Sequence, residues 1–269
     1  MAATAPQPAR GEFPYWLVLV VGVGAYLGWR VWQDDLYSEI FGTVSRGVWV
    51  TLFVTCVGFT SACGIGLLLA VGLLSRWVAW RQLARLYIEV IRGIPILVLL
   101  TYVAFVFTPL LVTGINALAE PLGFDAWRTR DISFLWRAII ALTIAYSAFI
   151  AEVFRAGIQA VDAGQIEAAE ALGLTRWQRF RLIVLPQAIR TILPPLGNDF
   201  IAMVKDSSLV SILGVADISQ LGKVTAAGNF RYFETYNIVA FIYLALTITL
   251  SLVLRRVEQR LRSRPDLPE

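Results

Sequence analysis

The sequence predicts an all-α polytopic membrane protein with about six transmembrane helices, and three observations carry that expectation. Of its 269 residues, 58% are hydrophobic and 16% charged, with a mean hydropathy of +0.68; a soluble domain is about half apolar and a quarter charged. Several stretches reach the roughly 20 mostly apolar residues that a helix needs to cross a bilayer. Basic residues gather in alternate connections between those stretches, the pattern of a chain with a fixed orientation in the membrane.

The spans fall near residues 13–31, 48–74, 86–112, 132–154, 189–213 and 236–254. The first does not read as a signal peptide. Its lead-in "MAATAPQPARGEFPYWLV" is proline-rich with one arginine, and the apolar run ends in "GWRVWQDD" with no small-residue cleavage site. Its Gly24 and Gly28 have the small-xxx-small spacing of close helix packing. Pro95 and Pro109 are expected to kink span three.

Arg76, Arg81 and Arg85 lie between spans two and three, and Arg155, Arg176, Arg179, Arg181 and Arg190 between four and five. Arg255, Arg256, Arg260, Arg262 and Arg264 follow span six. The other connections hold fewer basic groups or balance them with acids, which puts both termini and the central connection on the cytoplasmic side.

Composition also removes function classes. The absence of histidine takes away the commonest general base and metal ligand, so neither a catalytic residue nor a metal site is expected. Cys56 and Cys63, about 10 Å apart along one helix, cannot pair with each other. The net charge of +4 reflects the loop bias, and no basic cluster interleaved with aromatics points to nucleic acid. No G-x-x-x-x-G-K-[ST] phosphate loop occurs, and no inverted repeat is visible.

Between spans four and five lies "IEAAEALGLTRWQRFRLIVLP", polar amid apolar neighbours. Asp162 is placed to cap a helix of strong formers, "GQIEAAEAL", and Gly173 to end it. Thr175 and Gln178 have capping-box spacing for a second helix, expected to stop at Pro186. Trp177, Phe180, Ile183 and Val184 form a face for the membrane bundle, while Ala168, Ala169 and Ala171 permit close approach by a partner. By periodicity alone, an amphipathic helix lying on anionic lipid fits equally.

Glu167-Ala168-Ala169, then Gly173, Ile183 and Leu185-Pro186, at that spacing, resembles the EAA loop of ABC importer membrane subunits. "YIEVIRGIPILVLL", "SAFIAEVFRAGIQAV", "LPQAIRTILPPLGNDFIAMVKDSSLVSILG" and "YLALTITLSLVLRRVEQRL" resemble the polar amino-acid branch, the histidine, arginine, glutamine and glutamate uptake systems. The likeness covers residues 47–261; Ile94 departs from it, standing where relatives often have Thr. It implies a type I importer transmembrane domain: residues 1–45 as tail and extra helix, 46–261 as a five-helix core with its coupling loop at 162–186, and 262–269 as a cytoplasmic tail. It further implies a multi-pass permease of the bacterial inner membrane that dimerises with itself or a paralogue. Its partners would be an ATP-binding subunit, which holds ATP and Mg, and an extracytoplasmic amino-acid-binding protein; this chain would hold no cofactor. Glu167, Ala168, Ala169, Gly173, Leu174 and Arg179 would meet the ATPase.

For the solute, span five stands out. Pro194, Pro195 and Gly197 precede Asn198, Asp199, Lys205 and Asp206, and interrupted helices are where transporters expose polar groups to a solute. An amino acid's ammonium could meet Asp199 or Asn198, and its carboxylate Lys205. The same residues could instead form a fixed polar network. Glu152 joins this set, although Glu152–Arg155 and Glu89–Arg92 also have salt-bridge spacing. An ion-coupled transporter would also use intramembrane Asp199 and Glu152, but it gives the central connection no purpose.

Overall fold

The computed structural model describes residues 15–262, and among them the chain is helical with no strand. The expected tails at 1–14 and 263–269 lie outside the described residues. The helices are α1 (Tyr15–Gln33), α2 (Asp35–Ser45), α3 (Gly47–Leu74), α4 (Val78–Gly93), α5 (Ile96–Tyr102), α6 (Thr108–Ala119), α7 (Phe134–Gln159), α8 (Ala163–Ala171), α9 (Arg176–Arg179), α10 (Leu185–Asp206), α11 (Ile218–Asn229) and α12 (Tyr232–Arg262).

Four stretches among the described residues are long and apolar enough to cross a membrane: Asp35–Leu74, Ile96–Leu122, Phe134–Gln159 and Tyr232–Arg260. They account for expected spans two, three, four and six. The first expected span is α1, a helix of 19 residues. The fifth is α10, which carries Arg190, Asp199, Lys205 and Asp206 and is not among the four.

Several boundaries differ from the sequence reading. "QDDLYSE", expected as a connection, opens α2: the Asp34 carboxylate accepts from the Leu36 N–H at 3.0 Å, and Tyr37, Ile40 and Val44 are buried. Expected span three divides in two. Ile94 turns extended (φ −98°, ψ 128°) before Pro95, as residues preceding proline do. Residues 86–93 therefore belong to the arginine-bearing α4, and the membrane-crossing run starts at Ile96. The connection after Gly214 contains α11, capped by the buried Asp217, which accepts from Gln220 N–H at 2.8 Å and Tyr243 O–H at 3.1 Å. Burial pushes the Asp217 carboxyl above its ordinary range even though those bonds pull it down.

Helix α7 is the central post, its most apolar stretch two-thirds buried. Val54, Ala62, Leu142, Ile150 and Met203 form the core where α3, α7 and α10 meet. At one end of α7, the buried Arg137 donates to the carbonyls of Ile132 (2.9 Å), Ala104 (3.0 Å) and Thr129 (2.5 Å). Ala104 lies in the wide π turn Val103–Phe107 that joins α5 to α6, so a paired arginine satisfies irregular backbone there.

Candidate functional site

Two features have functional geometry: the elbow between α7 and α10, and the polar face of α10 that continues from it.

The elbow is built by local rules. Asp162 accepts from the N–H groups of Gly164 (2.8 Å) and Gln165 (3.3 Å) and starts α8. Gly173 ends it at φ +77°. Its N–H reaches the Glu170 carbonyl and the Leu174 N–H the Ala169 carbonyl, the paired bonds of a Schellman turn. Thr175 and Gln178 then exchange bonds in the expected capping box: the Thr175 N–H donates to Gln178 Oε1 at 2.9 Å, and the Gln178 N–H to Thr175 Oγ1 at 3.4 Å.

Two struts set the angle. Arg179 Nη1 meets Glu170 Oε2 at 2.5 Å, and Gln187 Nε2 donates to Gln165 Oε1 at 2.6 Å and to the Ile183 carbonyl at 3.0 Å. Arg179 thus braces the elbow from inside. Ala169 is buried and packs within the chain, so it is not part of an approach surface as expected; Glu167, Ala168 and Ala171 are exposed. The spacing puts Trp177 on the bundle face along with Phe180, Ile183 and Val184. Only Val184 is buried; Trp177 is 66% exposed and Leu172 81%, so these two face outward.

Pro186 does not end the second helix. Residues Phe180–Val184 form a π turn, and α10 starts directly at Leu185 with Pro186 in its first turn. Pro186 has no N–H to give to the preceding turn, and the wide π turn directly before it is where the helix accommodates its ring. The second arm of the elbow and α10 are therefore one continuous rod over residues 176–206, to which Arg179 and Gln187 strap α8. Pro194 and Pro195 likewise sit inside α10 without breaking it; Pro195 only removes the donor that the Thr191 carbonyl would have met.

On α10, Thr191, Pro195, Asn198, Ala202 and Lys205 recur at four- and three-residue steps and share one face. All but the partly covered Ala202 are exposed. The stripe runs about 21 Å and begins at a cavity of about 560 Å³ lined by Arg92, Glu152, Gly157, Thr191 and Pro195. There Arg155 holds Glu152 through Nη2 (2.5 Å) and Nε (2.9 Å), the expected local pair. The Glu89–Arg92 pair does not form among the described residues; the Arg92 guanidinium lies 5.7 Å from the Phe149 ring centre. Tyr87, five residues before Arg92, fastens α4 to α7 through Ser147 Oγ (2.8 Å) and the Ile144 carbonyl (3.2 Å).

The four polar residues expected together on span five are divided. Asn198 and Lys205 lie on the exposed stripe. Asp206 turns toward α7, accepting from the buried Tyr146 hydroxyl at 2.8 Å. Asp199 has a buried Oδ2 with no hydrogen-bond partner among the described residues. Sequence reasoning missed Thr191 and the stripe itself, a 3.6-residue period hidden because polar residues on other faces of α10 interrupt it. Tyr87 and Tyr146 gave no local signal, since their partners lie about 60 residues away.

Comparison with known proteins gives the family. The family described as "Binding-protein-dependent transport system inner membrane component" matches residues 62–263. The glutamine transport system permease protein GlnP of Escherichia coli K12 is 37% identical over 218 residues, covering 81% of this chain and 92% of GlnP. The probable amino-acid permease protein YxeN of Bacillus subtilis is 37% identical over 231 residues, covering 86% and 96%. A solved structure of an amino acid ABC transporter with histidines superposes with a TM-score of 0.69 at 38% identity, covering 84% of this chain and 96% of that one. These likenesses favour a membrane subunit over an ion-coupled transporter. The chain belongs to the binding-protein-dependent transport system inner membrane components, the non-catalytic multi-pass permease subunits of ABC importers.

Proposed function

We propose that this chain forms half of the translocation pathway of an ATP-driven importer for polar amino acids in the bacterial inner membrane. It pairs with itself or with a paralogous permease. A separate ATP-binding subunit holds ATP and Mg, and an extracytoplasmic binding protein delivers the solute. Both termini and the elbow face the cytoplasm, as the arginine bias favours. Glu167, Ala168, Leu172 and Trp177 meet a groove on the ATPase, while Gly173, Leu174 and Arg179 keep the elbow stiff.

The observation that carries this reading is the continuity of the elbow's second arm with α10. A push on the exposed arm moves the same rod that bears the Thr191–Lys205 stripe. Polar groups on a lipid-facing surface would be costly, so the stripe requires a second permease and water between the two. In the cavity at its foot, Arg92 suits a solute carboxylate. Glu152 and the Thr191 carbonyl suit an ammonium.

The test is uptake by the reconstituted complex, with thiol labelling of Asn198→Cys and Lys205→Cys in a background free of Cys56 and Cys63. Both sites react with a hydrophilic reagent, and the reactivity changes on adding ATP. Uptake survives a collapsed proton gradient and stops when ATP is depleted. Arg92→Gln weakens solute affinity by about 1.5–3 kcal/mol, the worth of a charge-assisted hydrogen bond. Thiols inert at both positions, or uptake indifferent to ATP, overturn the reading.

A further inference from the structure

The last span ends in a rim of cations, and the rim stands at the mouth of an apolar groove. Arg256 and Arg260, one turn apart, follow Val253 at i+3 and i+7 along one edge of α12, and Arg255 stands three residues before Glu258 on the other. All three arginines are exposed. Glu258 is the one acid that lines the groove. Three cations against one carboxylate leave a surplus of two positive charges at the level where α12 runs out of apolar residues.

The groove lies on the side of α10 turned away from the stripe. Phe59 of α3, Leu193 and Phe200 of α10, and Val253 and Val257 of α12 line a space of about 350 Å³ that follows α12 from Leu250 to Glu258, about 12 Å at helical rise. Gly197 lets the two helices close on each other, because a Cβ there would overlap the Leu254 side chain. The span Tyr232–Arg260 is only 17% buried over its most apolar stretch, so α12 presents the groove outward from the chain.

We propose that this site holds one anionic phospholipid of the cytoplasmic leaflet, with an acyl chain in the groove and the phosphate on the arginine rim. The assignment rests on the orientation given above, in which the last residues of α12 face the cytoplasm. An empty groove would forfeit the dispersion contacts of its walls, and a lipid chain is the apolar body that a bilayer supplies. A second copy that covers the polar stripe approaches α10 from its other side. Charge then selects the headgroup. An arginine fork donates to two phosphate oxygens at once, and basic pockets between spans on the cytoplasmic side suit anionic lipids. A zwitterionic headgroup carries its own ammonium, which the surplus of arginine repels.

Native mass spectrometry of the intact permease–ATPase complex, exchanged into detergent with equal phosphatidylglycerol and phosphatidylethanolamine of matched chains, tests this without any transport step. The lipid site and the solute route can therefore fail separately. Phosphatidylglycerol is retained over phosphatidylethanolamine by about fivefold or more, the ratio that one basic residue near a membrane surface is worth. Arg255→Gln combined with Arg260→Gln leaves Arg256 balanced by Glu258 and brings the ratio near one. Arg76→Gln combined with Arg85→Gln, exposed arginines outside the groove, leaves the ratio unchanged. Val253→Trp fills the groove and lowers retention of both lipids; the arginine variants alter no buried packing, so they serve if the tryptophan variant misfolds. Equal retention of the two lipids by the wild type, or an equal loss of preference in the Arg76 and Arg85 variant, overturns the headgroup assignment. Unchanged retention in Val253→Trp, or a disulfide joining two copies through Val253→Cys in a background free of Cys56 and Cys63, overturns the lipid site.

Discussion

Gly173 offers the sharpest perturbation, because its effect can be separated from steric clash. It sits at φ +77°, and nothing lies within 4 Å of a Cβ added there. A larger residue therefore meets no neighbour in this chain and pays only in backbone conformation. For an L residue with a Cβ, the left-handed region costs roughly 1–2 kcal/mol, with β-branched valine at the upper end or above. That is a factor of about 5–30 in the population of the bent elbow. Asparagine tolerates the same region because its short amide bonds locally. Coupling is thus expected to rank Gly173 with Gly173→Asn, then Gly173→Ala, then Gly173→Val. The assay is ATPase activity of the full complex in nanodiscs, stimulated by loaded binding protein, with thermal unfolding as the control for folding. The spans should melt alike in all four proteins while stimulation falls in that order. Full stimulation in Gly173→Val would refute the stiff-elbow argument. An asparagine variant as defective as valine would show that bulk at the ATPase contact matters and backbone conformation does not.

Other outcomes follow from the same geometry. Gly157→Leu drives a side chain into Ile192, forcing α7 and α10 apart; overpacking costs about 1–3 kcal/mol, seen as a lower melting temperature and lost uptake. Arg179→Ala removes the Glu170 strut, whose largely exposed carboxylate limits its worth to about 0–1 kcal/mol; stability stays nearly unchanged while solute-stimulated ATPase activity drops, and unaltered coupling counts against bracing. For Asp217, whose folded carboxyl titrates above its ordinary value, the folded state holds the proton more tightly than the unfolded chain. Its contribution to stability is full below the ordinary carboxylate pKa and is lost as pH rises through the raised one. Asp217→Asn keeps an N-cap and flattens that pH dependence of the melting temperature; an identical profile would remove Asp217 as its source.

The punctuation of the elbow was legible because caps and glycine turns are decided within a few residues. Asp162, Gly173, Thr175 and Gln178 each do what their neighbours in sequence predict. Pro186 does not end the helix as its residue type predicts, because the π turn at Phe180–Val184 takes up the lost donor and the ring. Helix α11 has a local start signal too, the Asp217 cap on the Gln220 N–H; what its neighbours in sequence do not show is the burial of that carboxylate against Tyr243, 26 residues away. Ala169 and Trp177 were placed on the wrong sides because a short helix with small and apolar residues all round has no single face until a neighbour covers one.

The sequence alone determined that this chain is a helical membrane protein, where most of its spans lie, and that a capped, bent arm stands between two of them. Those are consequences of hydrophobic run length and nearest-neighbour hydrogen bonding. Only the tertiary structure decided that arm and α10 are one rod, that Asn198 and Lys205 share an exposed face while Asp206 turns inward to Tyr146, and that Arg92 and Glu152 border one cavity. The last two depend on residues of different helices, and the packing of α3, α4, α7 and α10 sets which faces of α10 are covered; the rod depends on a π turn that the proline alone does not announce.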